Sequence, residues 1–145
     1  MKQDAKSKLA LNTYTKLMRG TESVTARVGR KMSDAGLTIS QFGVLEALLH
    51  KGSMCQRDVA SKILKSTGNI TMVIDNLEKQ GLVQRERSLE DRRYCTVLLT
   101  EKGRGLIEAT FAEVEAAIVA EMGVLTDAEQ ETLGKLCKKL GLREG

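Results

Sequence analysis

Apolar residues at Leu11, Tyr14, Leu17, Met18, Val24, Val28 and Met32 recur at three- and four-residue spacings, which predicts one long amphipathic helix over about residues 7–34. Gly36 is placed to end it. The next segment, "LTISQFGVLEALLHKG", opens with Thr38 and Gln41 at capping-box spacing, carries Ile39, Phe42, Leu45, Leu48 and Leu49 on one face, and closes at Gly52. "CQRDVASKIL" supplies Val59, Ala60, Ile63 and Leu64 for a short third helix. A polar turn then leads into "GNITMVIDNLEKQG", where Ile70, Val73, Ile74 and Leu77 repeat at helical spacing, Ser66 or Thr67 serves as cap, and Gly81 stands just past the end. "LVQRER" and "YCTVLLT" flank a six-residue polar loop and read as an antiparallel hairpin. A fifth helix follows Thr100 with Ile107, Phe111, Val114, Ile118, Met122 and Leu125 as its stripe. The last helix has a capping box in Thr126 and Glu129 and an apolar face of Leu133, Leu136, Cys137 and Leu140.

The expected fold is therefore mainly α with a small β-hairpin. Residues 38–100 run helix, helix, helix, hairpin, and the pair at 56–80 has the shape of a helix-turn-helix. Once the fourth helix has spent its apolar face on the core, Thr67, Gly68, Asn69, Thr71, Met72, Asp75 and Asn76 remain outward. Short polar side chains of this kind let a helix enter a DNA major groove and meet base edges. The stretch "SLEDRRYC" at the hairpin tip sets Arg92 and Arg93 beside Asp91. A solvated loop gains little from adjacent arginines, whereas a loop beside a recognition helix can carry one into the minor groove, with an acid holding the guanidinium. The hairpin thus reads as the wing of a winged helix-turn-helix.

Composition sharpens the partner class. The 145 residues are 41% hydrophobic and 29% charged, with net charge +4, a mild bias toward polyanions. With 3% aromatic residues and no Trp, the chain lacks the stacking platforms of single-strand and RNA binders, which favours duplex DNA. No apolar run reaches the roughly 18 to 20 residues of a membrane span, and the N-terminal stretch has no signal-peptide pattern, so a cytoplasmic location is expected. A single His, no Gly-rich phosphate loop and no metal-ligand spacing leave little for an enzyme, a cofactor or a metal site.

"LEKQGLV", "DRR" and "LTEKG", in that order and spacing, with "LTISQFGVLEAL" before them, resemble the MarR family of bacterial transcription regulators, and the likeness extends over nearly the whole chain. What the resemblance implies is a homodimer that binds a pseudo-palindromic operator and usually represses. Residues 1–36 and 101–145 would supply dimerisation helices around a winged domain at 38–100. The fourth helix, from Ser66 onward, would read the major groove. Arg93 would enter the minor groove, oriented by Asp91, while Arg92 would serve the backbone. Arg85 and Arg87 on the hairpin, with Gln56 and Arg57 opening the third helix, are phosphate-contact candidates.

Two long terminal stripes exceed what a domain of residues 38–100 can cover, so a second copy is expected on that ground too; a monomeric helical bundle is the alternative. The family also implies a small, often phenolic, effector in a crevice, for which Tyr14, Met18, Phe42, Leu45 and His50 are the candidate lining. A thiol-based redox regulator of the same fold is the alternative trigger. Its candidate is Cys55, at the start of the third helix where the family commonly has Thr or Ser; Cys95 and Cys137 read as packing residues. A dimeric scaffold that binds protein rather than DNA is the remaining reading.

Overall fold

The computed structural model describes residues 4–63, 67–91 and 94–144. In chain order these form α1 (Ala5–Asp34), α2 (Ile39–Lys51), β1 (Met54–Cys55), α3 (Gln56–Lys62), α4 (Thr67–Lys79), β2 (Val83–Arg87), β3 (Cys95–Leu99), α5 (Glu101–Met122) and α6 (Asp127–Leu142). Both expected capping boxes are formed: Thr38 and Gln41 close on each other at the start of α2, and Thr126 and Glu129 do so at α6. Each box satisfies backbone N–H groups that a helix start leaves open.

The strands make one antiparallel sheet in the order β1-β3-β2. The hairpin pairs Val83 with Leu99, Arg85 with Val97 and Arg87 with Cys95, while β1 adds Met54 opposite Val97 and Cys55 opposite Thr96. The sequence pattern did not foresee β1, because two residues carry no alternation.

The core sits where α2, α3, α4 and α5 meet the sheet. Val44, Leu45, Val59, Ile70, Ile74, Leu77, Val97 and Ile107 are fully buried, each worth roughly 1.5–3 kcal/mol relative to exposure. α4 ends on Gly81 at φ 75°, with Leu82 N–H donating back to the Leu77 carbonyl at 3.0 Å and both leucines buried. The start of α5 is tied to that turn. Thr100 Oγ1 accepts from Gly103 N–H at 3.0 Å and donates to the Gly81 carbonyl at 2.6 Å, and Lys102 Nζ reaches the Gln80 carbonyl at 3.0 Å. These bonds give the segments "LEKQGLV" and "LTEKG" a shared physical purpose, which is to set the hairpin between α4 and α5.

The termini are different. α1 buries only Val28 and Met32, near its C-terminal end, and α6 buries nothing. Leu9, Leu11, Tyr14 and Met18 on α1, Ile118 on α5 and Leu133, Leu136 and Leu140 on α6 are all exposed. A 2.6 Å pair between Arg27 Nε and Glu121 Oε1 ties α1 to α5. The arginine's hydrogen bond holds the Glu121 carboxyl below its ordinary value, so this small surface contribution is present at neutral pH and fades as pH falls through the depressed value. Among the described residues no helix is long and apolar enough to cross a membrane.

Candidate nucleic-acid interface

α4 presents two faces of opposite chemistry. Ile70, Ile74 and Leu77 are fully buried, whereas Asn69, Thr71, Met72 and Asn76 are exposed and Asp75 is half-buried. This division follows from the helical spacing of the apolar positions and, at Asn69, Thr71, Met72 and Asn76, agrees with the outward set expected from the sequence. Thr67 and Gly68 lie in the first turn of α4, their side chains outside the described set, and Ser66 falls outside the described residues.

The hairpin stands beside this face. At its tip, Ser88 Oγ accepts from the N–H groups of Glu90 and Asp91, both at 3.2 Å. Tyr94 N–H donates to the Asp91 carbonyl at 3.0 Å and Ser88 N–H to the Tyr94 carbonyl at 3.1 Å. A serine turn thus holds the backbone of Asp91 in place. Arg92 and Arg93, the residues expected to meet DNA from the wing, lie outside the described residues.

Of the four phosphate-contact candidates, Arg57 and Arg87 are exposed. Gln56 and Arg85 have intramolecular partners instead. Gln56 Nε2 donates to Thr71 Oγ1 at 2.8 Å, and its Oε1 accepts from Arg85 Nε at 3.3 Å. Arg85 Nη1 lies 2.6 Å from Asp75 Oδ1 and 3.2 Å from Glu78 Oε1, while Nη2 reaches the Thr71 carbonyl at 3.3 Å. The signal was in the alternation. Val83 and Arg85 share a face of β2, and Arg85 sits opposite the fully buried Val97, so its stem is drawn inward.

Between the start of α3, α4 and the hairpin lies a groove of about 510 Å³ lined by Cys55, Gln56, Arg57, Ile70, Thr71, Asp75, Arg85, Arg87, Tyr94 and Cys95. It combines guanidinium groups with one aromatic ring and a short apolar floor. Tyr94, 55% exposed, was not singled out by the sequence reading, although it directly follows "DRR". Cys55 stands at the N-cap of α3 without a side-chain capping hydrogen bond, and it shares the groove with Cys95. Cys137 is exposed on α6.

The five candidate effector residues do not share a crevice within one chain. Phe42 and Leu45 are buried in the core, whereas Tyr14 and Met18 are exposed on the outer part of α1. His50 packs its ring edgewise on Phe111 at 4.7 Å, with Nδ1 3.0 Å from the Glu46 carboxylate. The groove that His50 borders is lined by Ile39, Gly43, Glu46, Lys51 and Ile63 among others, and by none of the other four. Periodicity finds apolar positions, but it does not separate those that fill the core from those on the terminal stripes.

With this geometry in view, the comparisons with known proteins are concordant. The sequence profile described as "Transcriptional regulator SarA/Rot" matches residues 28–110. The chain is 35% identical over 133 residues to the HTH-type transcriptional regulator MhqR of Bacillus subtilis (strain 168), covering 92% of each. Among solved structures, it is similar to Bordetella bronchiseptica BpsR, whose DNA binding is regulated by 6-hydroxynicotinic acid, at a TM-score of 0.80 and 28% identity, over 90% of this chain and 98% of that one. It also shares its fold with Sco3205, a MarR family transcriptional regulator from Streptomyces coelicolor solved in complex with DNA, at a TM-score of 0.83 and 21% identity, over 97% and 89% of the two chains.

Proposed function

The chain belongs to the MarR-type family of winged helix-turn-helix transcriptional regulators, and from that premise we propose that it is a ligand-responsive repressor that binds a pseudo-palindromic operator as a homodimer. The observation that carries this reading is the exposed polar face of α4 standing beside a hairpin whose tip bears "DRR". α4 enters the major groove, with Asn69 and Thr71 at base edges. Arg57 and Arg87 approach phosphates, Arg93 enters the minor groove with Asp91 as its orienting acid, and Arg92 serves the backbone. In the dimer the two α4 helices stand about one turn of duplex apart, roughly 34 to 36 Å.

The test is to recover the genomic fragments that the protein retains and to measure affinity for them across a salt series. A regulator gives a steep fall in affinity with salt, because each neutralised phosphate releases counterions. A protein-binding scaffold would leave the duplex unbound at every salt concentration. Within that assay Arg93→Ala is expected to lose most of the affinity while keeping the circular dichroism of the wild type, and Asp91→Ala to lose less. Asn69→Ala should relax sequence preference at one position per half-site, at about 1 to 3 kcal/mol for a lost base contact. Wild-type affinity in Arg93→Ala would remove the wing from the interface.

An aromatic acid is the effector class we favour, and BpsR supports it, since 6-hydroxynicotinic acid regulates that relative's DNA binding. Over a crevice lined by Tyr14, Met18, Phe42, Leu45 and His50, we favour as the site the groove beside α4, where Arg57, Arg87 and Tyr94 converge on a short apolar floor. An occupant there competes with the duplex. A hundredfold loss of DNA binding requires about 2.7 kcal/mol of preference for the DNA-free form. Calorimetry with a hydroxylated aromatic carboxylate is expected to show binding that Arg87→Ala weakens about tenfold or more; equal binding by both proteins would place the ligand elsewhere. Cys55 and Cys95 in the same groove support the thiol alternative. A Cys55→Ser protein that binds DNA but no longer releases it with peroxide or quinone would favour that trigger.

A further inference from the structure

β2 is an outer strand of the sheet, paired with β3 along one edge only. On its other side it is tied to α4 by the hydrogen bonds of Arg85. Arg85 N–H donates to Glu78 Oε2 at 3.2 Å, in place of a ladder bond, and its guanidinium donates to Asp75, Glu78, the Thr71 carbonyl and Gln56. All three side-chain nitrogens are engaged within the protein, and the side chain is only 19% exposed. We propose that Arg85 is a positioning residue that locks the wing strand onto the recognition helix, and so sets affinity for duplex DNA without touching the duplex.

The proposal rests on reading α4 and the hairpin as the DNA-binding surface, and three physical consequences follow from the geometry. First, a wing and a helix that must enter neighbouring grooves together bind best when their separation is set beforehand; an untied edge strand spends binding energy on ordering. Second, Asp75 and Glu78 stand on the DNA-reading helix, where phosphates would repel bare carboxylates. The guanidinium draws both toward the protein with charge-assisted bonds. Third, a guanidinium only donates, so the oxygen of the Gln56 amide must face Arg85 and its NH₂ must face Thr71. The Thr71 hydroxyl, a base-contact candidate, is thereby held by a chain of bonds that begins at Arg85.

The sign of one substitution separates this role from a direct phosphate contact. Removing the Asp75 charge would free a phosphate-binding arginine and tighten DNA binding, whereas it would loosen a clamp and weaken binding. The experiment measures duplex affinity for wild type, Arg85→Ala, Arg85→Lys, Asp75→Asn and the Arg85→Ala/Asp75→Asn pair, on the genomic fragment retained by the wild-type protein. Hydrogen exchange is followed in each DNA-free protein. Arg85→Ala is expected to lose about 10- to 100-fold in affinity and Asp75→Asn several-fold. In the Arg85→Ala background, Asp75→Asn should cost less than about twofold, because the bond is already gone. Arg85→Lys should recover part of the loss, since an ammonium offers charge without the planar fork. Exchange should quicken in residues 71–87 and stay unchanged in α2; faster exchange throughout the chain would mark a general loss of stability and overturn the clamp. Tighter binding by Asp75→Asn, together with a salt slope reduced by about 0.9 in Arg85→Ala, would identify a phosphate contact and overturn the clamp alone. A wild-type chain that binds no duplex would overturn the DNA-binding surface and the clamp with it.

Discussion

Gly103→Ala is expected to destabilise the protein by at least about 3 kcal/mol, the upper part of the range for overpacking, because the added methyl would meet backbone and not a movable side chain. A Cβ at this position would lie 1.9 Å from the Leu82 carbonyl oxygen, 2.8 Å from its carbon and 3.2 Å from its Cα. Neither partner has room to yield. The Leu82 carbonyl accepts from Thr100 N–H at 3.1 Å, and Thr100 in turn bridges Gly103 and Gly81, so a shift of α5 breaks several bonds at once. The same shift would lift Ile107 and Val114 from the core. Gly105 supplies the control two residues on, since nothing lies within 4 Å of its added Cβ. Gly105→Ala is expected to gain roughly 0.5 to 1 kcal/mol from helix propensity alone. Urea unfolding at one fixed protein concentration reads both variants. Equal midpoints for the two would mean that the close approach of α5 to Leu82 has no energetic weight.

The second large effect is expected at the termini. Leu133 and Leu136 on α6 are 39% and 58% exposed in the single chain, and α6 buries no residue at all. A helix that buries no residue, together with an α1 that exposes Leu9, Leu11, Tyr14 and Met18, leaves apolar area at both termini of the kind that monomers rarely leave open. A double Leu133→Glu/Leu136→Glu protein is expected to sediment as a monomer with its winged domain folded. Operator affinity should fall by about 10²- to 10⁴-fold, because the second half-site is then no longer bound within one complex. Light scattering and duplex titration measure the two consequences separately. A wild-type chain that scatters as a monomer at micromolar concentration would sink the dimer outright.

The elements themselves were legible because each rests on local signals. Thr38 with Gln41 and Thr126 with Glu129 announced two helix starts, Gly36, Gly52 and Gly81 marked helix ends with their positive φ, and Ile70, Ile74 and Leu77 named the buried face of α4. The polar face of α4 followed by subtraction. Depth and distance between segments were not legible in the same way. β1 exists only because Met54 and Cys55 find Val97 and Thr96 across the sheet, and periodicity does not tell that Phe42 and Leu45 are buried in the core while Tyr14 and Met18 lie on an exposed stripe.

Arg85 draws the line most sharply. Residue type and a place on a basic hairpin suggested a phosphate contact. The register that sets it opposite Val97, and the turn that brings Asp75, Glu78 and Gln56 within reach, arise only when α3, α4 and β2 pack. The sequence by itself determined the order of helices and strands, the apolar and polar faces, and the family. These depend on spacings within about one or two turns of chain, where covalent geometry dictates which side chains share a face. Tertiary structure alone decided which charges spend themselves inside the protein, why Gly103 admits no side chain, and which apolar stripes stay exposed. Those outcomes depend on separations between segments far apart in the chain, and no local periodicity encodes them.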